Sequence, residues 1–213
     1  GERGTEVPPP CRATCALLSV EMSAPDLTLP HYLRPGLRIV FIGYNPAIYS
    51  AEAGHYYARN GNVFWRQLSA SGIAGRTVGP EDDALLMDEA GIGFTDLCSR
   101  PTVRAEELTR FEIVQGALRL LGELMKNQPC VAVFSGRGIY QHFARHALGL
   151  GAKELAARRY GPQPERIGET VPWVMPSSSG LASKWHRERL ELLTQLASAF
   201  VVNWTERTGV PGV

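Results

Sequence analysis

The stretch Leu37-Arg38-Ile39-Val40-Phe41-Ile42-Gly43-Tyr44-Asn45-Pro46 decides how the rest of the chain is read. Ile39 to Ile42 are all apolar and β-prone, and the run is closed by Gly43 and by Asn45-Pro46. A short apolar run bounded by turn residues reads as a buried strand that hands the chain to a loop. Similar runs recur at Gly91-Ile92-Gly93-Phe94-Thr95, at Val131-Ala132-Val133-Phe134-Ser135 and at Val171-Pro172-Trp173-Val174-Met175. Between them the apolar spacing is helical. Phe64, Leu68 and Ile73 follow the first loop, Ile113, Leu118, Leu121 and Leu124 mark a helix within 105–126, and Leu190 to Val202 forms an amphipathic helix. Strands alternating with helices predict an α/β fold, a three-layer α/β/α sandwich with a mainly parallel central sheet. Loops at the carboxyl ends of such strands form the site.

The chain has 213 residues, of which 44% are hydrophobic and 20% charged, enough for one globular domain with an ordinary core. Residues 1–30 carry Pro8-Pro9-Pro10, Pro25 and Pro30 with little periodicity and read as a flexible leader. Residues 31–203 read as the domain and 204–213 as a tail. Cys11, Cys15, Cys98 and Cys130 are too few and too scattered for a disulfide framework, and no signal peptide or membrane-length apolar run stands out. A soluble cytoplasmic protein without a membrane partner is expected. Cys11 and Cys15 have no histidine near them in sequence, and the thiols match no familiar iron–sulfur spacing. His142 and His146 lie one helical turn apart without an evident third ligand. No metal and no cofactor are expected. The net charge of +1 does not announce a nucleic-acid partner, but Arg158-Arg159 and Lys184-Trp185-His186-Arg187-Glu188-Arg189 gather positive charge locally. Such a run is either a solvated helix face or a phosphate contact.

Two further motifs follow the first loop, Gly54-His55-Tyr56-Tyr57 and Gly61-Asn62-Val63-Phe64-Trp65, and Met175-Pro176-Ser177-Ser178-Ser179-Gly180-Leu181 follows the last strand run. In this order, with Gly43-Tyr44-Asn45-Pro46, they resemble the mismatch-specific uracil/thymine DNA glycosylases of the uracil-DNA glycosylase superfamily, from about Leu37 to Val202. The resemblance implies a base-excision repair enzyme with a uracil-DNA-glycosylase-like sandwich. Its partner would be double-stranded DNA containing uracil or mismatched bases. It would flip uracil out, chiefly from G:U mispairs, and hydrolyse the N-glycosidic bond to leave an abasic site. It would act as a metal-free monomer, nucleoid-associated in a bacterium or nuclear in a eukaryote. No lysine stands at a motif position that would suggest a Schiff base, so no lyase step is expected.

By the same resemblance Asn45 positions the attacking water; an amide can orient water but is a poor base. Tyr57 matches the aromatic residue that stacks on the extruded base. Asn62 either lines the pocket or caps the following helix, with Phe64 and Trp65 in the core. Ser50 hydrogen-bonds to the water or the base, or is an ordinary loop serine. The loop Ser177-Ser178-Ser179-Gly180-Leu181 grips phosphates and pushes Leu181 into the gap left by the flipped nucleotide.

Three departures from the family pattern bear on the chemistry. Tyr44 stands where isoleucine is usual and either narrows the pocket or packs. Ser183 stands where bacterial relatives present an arginine to the opposite strand, a loss for which Lys184 compensates in part. Asp96 stands where relatives carry Asn or Lys. It is either an exposed acid ending a strand or a second catalytic group, acting as the general base that Asn45 cannot be or as an acceptor for uracil N3–H. Two other readings remain. One is a glycosylase acting mainly on single-stranded uracil, thymine or damaged pyrimidines, and the other is a non-catalytic DNA-damage binding module. The presence of both Asn45 and Asp96 argues against the second.

Overall fold

Every residue of β1 (Ile39–Gly43), β2 (Ile92–Asp96) and β3 (Val131–Phe134) is buried, as strands covered on both faces must be. With β4 (Gly161–Pro162) and β5 (Val171–Val174) they form one sheet in the order β2-β1-β3-β5-β4, parallel except where β4 pairs with β5. The helices are α1 (Ile48–Ala53), α2 (Phe64–Ala70), α3 (Leu86–Glu89), α4 (Arg110–Asn127), α5 (Arg137–Ala147), α6 (Ala152–Ala157) and α7 (His186–Thr208). The computed structural model describes residues 27–208, and side chains as far as Ala199.

Strand alternation sorts the core into two layers. Ile39 and Phe41 pack with Phe64, Leu68, Leu86 and Leu193 from α2, α3 and α7. Val40 and Ile42 pack with Leu120, Leu124, Phe143 and Leu155 from α4, α5 and α6. The expected three-layer sandwich is therefore present, with β1 between β2 and β3 in its middle layer. Phe41 is wholly buried and meets the rings of Phe64 and Phe94, so its truncation to alanine would cost about 3–5 kcal/mol.

Boundaries differ from the sequence reading where capping decides them. The helix expected within 105–126 is a 3-10 turn, Ala105–Glu107, followed by α4. Leu108 is extended between them. Thr109 caps α4: its hydroxyl accepts from Glu112 N–H while the Glu112 carboxylate accepts from Thr109 N–H. The last helix starts at His186 rather than Leu190 and runs to Thr208, past the boundary expected at 203. Residues 28–30, expected in the leader, pack onto the fold. Leu29 is buried, Thr28 Oγ1 donates to Ser99 O, and Tyr56 Oη donates to Pro30 O. Pro8-Pro9-Pro10, Cys11, Cys15, Pro25 and residues 209–213 lie outside the described residues.

β1 and β3 are neighbours, and the chain leaves β1 towards β2 but leaves β3 towards β4 and β5, in the opposite direction. A crevice opens at that reversal, outside the carboxyl ends of the strands. Gly43, Asp96 and Ser135 all lie at this end of the sheet.

Candidate active site

Gly43 and Asp96 are register partners at the ends of β1 and β2. The Asp96 side chain lines a cavity of about 980 Å³ yet is only 5% exposed. It is thus not the exposed strand-ending acid that one sequence reading allowed. Among the described residues nothing hydrogen-bonds its carboxyl group. Burial pushes its pKa up to about 7, against the opposing pull of the Arg119 guanidinium. Arg119, on α4, donates to the main-chain oxygens of Asp96 (2.5 Å) and Leu97 (3.2 Å), and to both Glu123 carboxylate oxygens at 2.8 Å. α4 comes this close because position 116 is glycine; a Cβ there would overlap the Leu97 carbonyl.

Asn45 leaves β1 towards the same cavity. Its Nδ2 donates to Arg100 O (2.9 Å) and Thr102 Oγ1 (2.8 Å), with a longer contact to Pro46 O. Both amide hydrogens are thereby engaged by protein, and Oδ1 is left to accept from whatever enters the cavity. Thr102 is buried and donates its own N–H to Pro46 O. Sequence reading passed over Thr102 and Arg119. Thr102 had a signal, the Arg100-Pro101-Thr102 turn just after a strand, whereas nothing in the helical pattern set Arg119 apart.

Tyr57 holds a backbone φ of 53°, in the left-handed region that residues with a Cβ rarely occupy. Its ring lies parallel to Phe64, with centroids 4.0 Å apart, and its hydroxyl donates to Ser135 Oγ at 3.3 Å. Burial, and then the Asp96 charge, raise the phenol pKa, so Tyr57 stays a neutral donor. The turn that presents it is tied down by Ser50 and Asp83. Ser50 is buried, its hydroxyl accepting from Ala58 N–H and its carbonyl from His55 N–H. Asp83, wholly buried, accepts from Tyr56 N–H and Ala84 N–H and pairs with His55. Asn62 does both things the sequence allowed: its Oδ1 accepts from Phe64 N–H at the start of α2, and it lines the cavity. Tyr44 also does both, packing its ring against His142 while facing the cavity. Phe64 and Trp65 are core residues, as expected.

The serine-rich loop reaches the cavity through Ser179, Gly180 and Leu181. Leu181 is 100% exposed, an apolar tip at the mouth. Ser178 is turned inward at 2% exposure, and its carbonyl accepts from Val63 N–H. It fastens the loop rather than offering a hydroxyl to a ligand. Ser177 Oγ accepts from Ser179 N–H, and His186 donates from Nε2 to Ser179 O. Ser183 and Lys184 are exposed beyond the cavity, with the Lys184 ammonium over the Trp185 ring. Tyr44, Asn45, Ser50, Tyr57, Asn62 and Asp96 thus share one cavity with the loop tip, while Ser177, Ser178, Ser183 and Lys184 lie outside it.

Among the described residues no three His, Cys, Asp or Glu side chains converge to hold a metal ion, and no helix is long and apolar enough to cross a membrane. The solution NMR structure of a proposed uracil DNA glycosylase from Methanosarcina acetivorans has a similar fold. Its TM-score is 0.52 and its identity 20%, over 80% of this chain and 98% of that one. The model of the uracil DNA glycosylase superfamily matches residues 30–200, which takes in the whole sheet, the serine-rich loop and all of the cavity lining except Leu29. By that match the chain belongs to the uracil DNA glycosylase superfamily.

Proposed function

We propose that the protein is a monofunctional uracil-DNA glycosylase that takes uracil out of double-stranded DNA, chiefly from G:U mispairs. One observation carries the reading: an acceptor oxygen on Asn45 and a buried carboxyl on Asp96 face one cavity beside the Tyr57 ring, both without partners among the described residues. The extruded base stacks on Tyr57 while Leu181 fills the space it vacates. Heterolysis of the C1′–N1 bond leaves the electron pair on uracil N1 and oxocarbenium character on the sugar. Water held by Asn45 adds its oxygen to C1′ and gives a proton to the Asp96 carboxylate. That proton then passes to the uracil anion. The products are neutral uracil and an abasic site. Among the described residues no lysine lines the cavity, so none is placed to form a Schiff base with the sugar.

The test is a single-turnover assay with excess protein on duplexes carrying U opposite G, U opposite A and T opposite G, and on single-stranded U. Uracil should leave fastest from U:G. Binding without base release from any of the four would refute the proposal.

A further inference from the structure

Arg189, on α7, is wholly buried, yet its guanidinium has little to answer its charge. Nη1 donates to Gln67 Oε1 at 2.7 Å, while Nε and Nη2 have no partner among the described residues. Burial lowers its pKa to about 10, so it remains cationic at neutral pH. Among the described residues no carboxylate pairs with it, and the ionisable group that acts on it is the Tyr57 phenol. A buried cation without a counter-ion costs stability, whatever else it serves.

Its position suggests what that is. The guanidinium carbon sits 5.2 Å over the Phe64 ring, and Phe64 stacks on Tyr57 at 4.0 Å with 13° between planes. A ring stacked that closely leaves no room for a guanidinium on the same face of Phe64. The cation therefore backs the stack whose front forms the base platform. Asp96, which takes the proton of the attacking water in the reading above, lines the same cavity from the end of β2.

We propose that Arg189 is a positioning residue of the base pocket whose uncompensated charge, set behind the Phe64–Tyr57 stack, stabilises negative charge on the departing uracil. The inference rests on the glycosylase reading. When the C1′–N1 bond breaks, its electron pair moves to N1 and the sugar becomes cationic. A carboxylate on the sugar side and a cation behind the base give a field aligned with that charge separation. For a base roughly 12 Å from the guanidinium, an effective dielectric constant of about 20 gives roughly a tenfold effect on rate.

Gln67→Glu tests this without opening a hole, because it sets a carboxylate on Arg189 Nη1; it also gives up the bond from Gln67 Nε2 to His186 O, a structural loss that falls on both bases alike. Single-turnover release of uracil from U:G duplex at saturating protein should slow about tenfold, with the half-saturating concentration unchanged within about twofold. Release of 5-fluorouracil should slow only about threefold, because its more acidic N1 holds negative charge with less help. Arg189→Lys, which keeps the charge, should stay within about threefold of wild type on both bases. A role in packing alone predicts an unchanged rate for Gln67→Glu, or the same loss for both bases, and either result overturns the inference. A wild type inert on both bases overturns the glycosylase reading, and this inference with it.

Discussion

Gly43 and Asp96 meet across two parallel strands so closely that a Cβ on Gly43 would overlap Asp96 Oδ1 and lie 3.5 Å from Tyr57 Oη. The glycine is a space requirement of the carboxyl group, not a turn device. Gly43→Ala should push the Asp96 side chain out of place and lower the single-turnover rate on the order of 100-fold. A rate within threefold of wild type would mean that the carboxyl position is unimportant.

Asp96 should impose a pH profile. A general base with a pKa of about 7 gives a rate that rises through neutrality and levels above it. Asp96→Asn should flatten that rise and lower the plateau about 10²–10³-fold. Stability runs the opposite way. The folded-state pKa lies above the unfolded value, so the native state holds the proton more tightly between about pH 4 and 7, and stability falls as pH rises through that window. Asp96→Asn should therefore be more stable than wild type at pH 8, by on the order of 4 kcal/mol at most. The gain should shrink towards pH 5 in urea titrations.

Asn45→Ala removes the water acceptor and also frees Thr102 Oγ1 and Arg100 O. The rate should drop on the order of 100-fold. Because Asn45 and Asp96 act on one water, the double variant should lose less than the two single losses multiplied together. Full multiplicativity in the single-turnover constants would show that they act on different steps.

Tyr57→Phe keeps the stack on Phe64 and gives up one long hydrogen bond to Ser135, so its rate should stay within threefold. Tyr57→Ala should weaken capture of the extruded base by roughly 1–3 kcal/mol, read as fluorescence of a reporter base opposite the lesion.

Leu181→Ala should leave the melting temperature unchanged, since the side chain touches nothing it could lose. It should slow release from duplex U:G at least tenfold more than release from single-stranded U. Equal losses on the two substrates would exclude a wedge.

The sheet was legible because buried parallel strands announce themselves as apolar runs. Asn45 and Asp96 stand where two of those runs stop, but the family resemblance singled them out, and Tyr57, in the turn between α1 and α2, came from that resemblance alone. Asp96 could be named but not its environment, since burial at a strand end depends on what covers it, here α4 and Gly43. The inward turn of Ser178 was hidden because three adjacent serines look alike until one carbonyl finds Val63. The left-handed backbone of Tyr57 was equally hidden, being imposed by Ser50 and Asp83 from elsewhere in the chain. Arg189 lies in a run that reads as surface charge, and only the packing of α7 on Phe64 takes it inside.

The loop behind Leu181 is fastened before any DNA arrives, by Val63 to Ser178 and by His186 to Ser179. Ordering a free segment costs about 1–2 kcal/mol per residue, and here that ordering is completed during folding. For a glycosylase of the kind proposed, the protein then meets the helix as a stiff probe pressing on a soft polymer, and the duplex does the bending. Pairs that open readily yield to it and sound pairs spring back. Lesions are thus sorted first by the mechanics of the double helix, before a single atom of the base has been read.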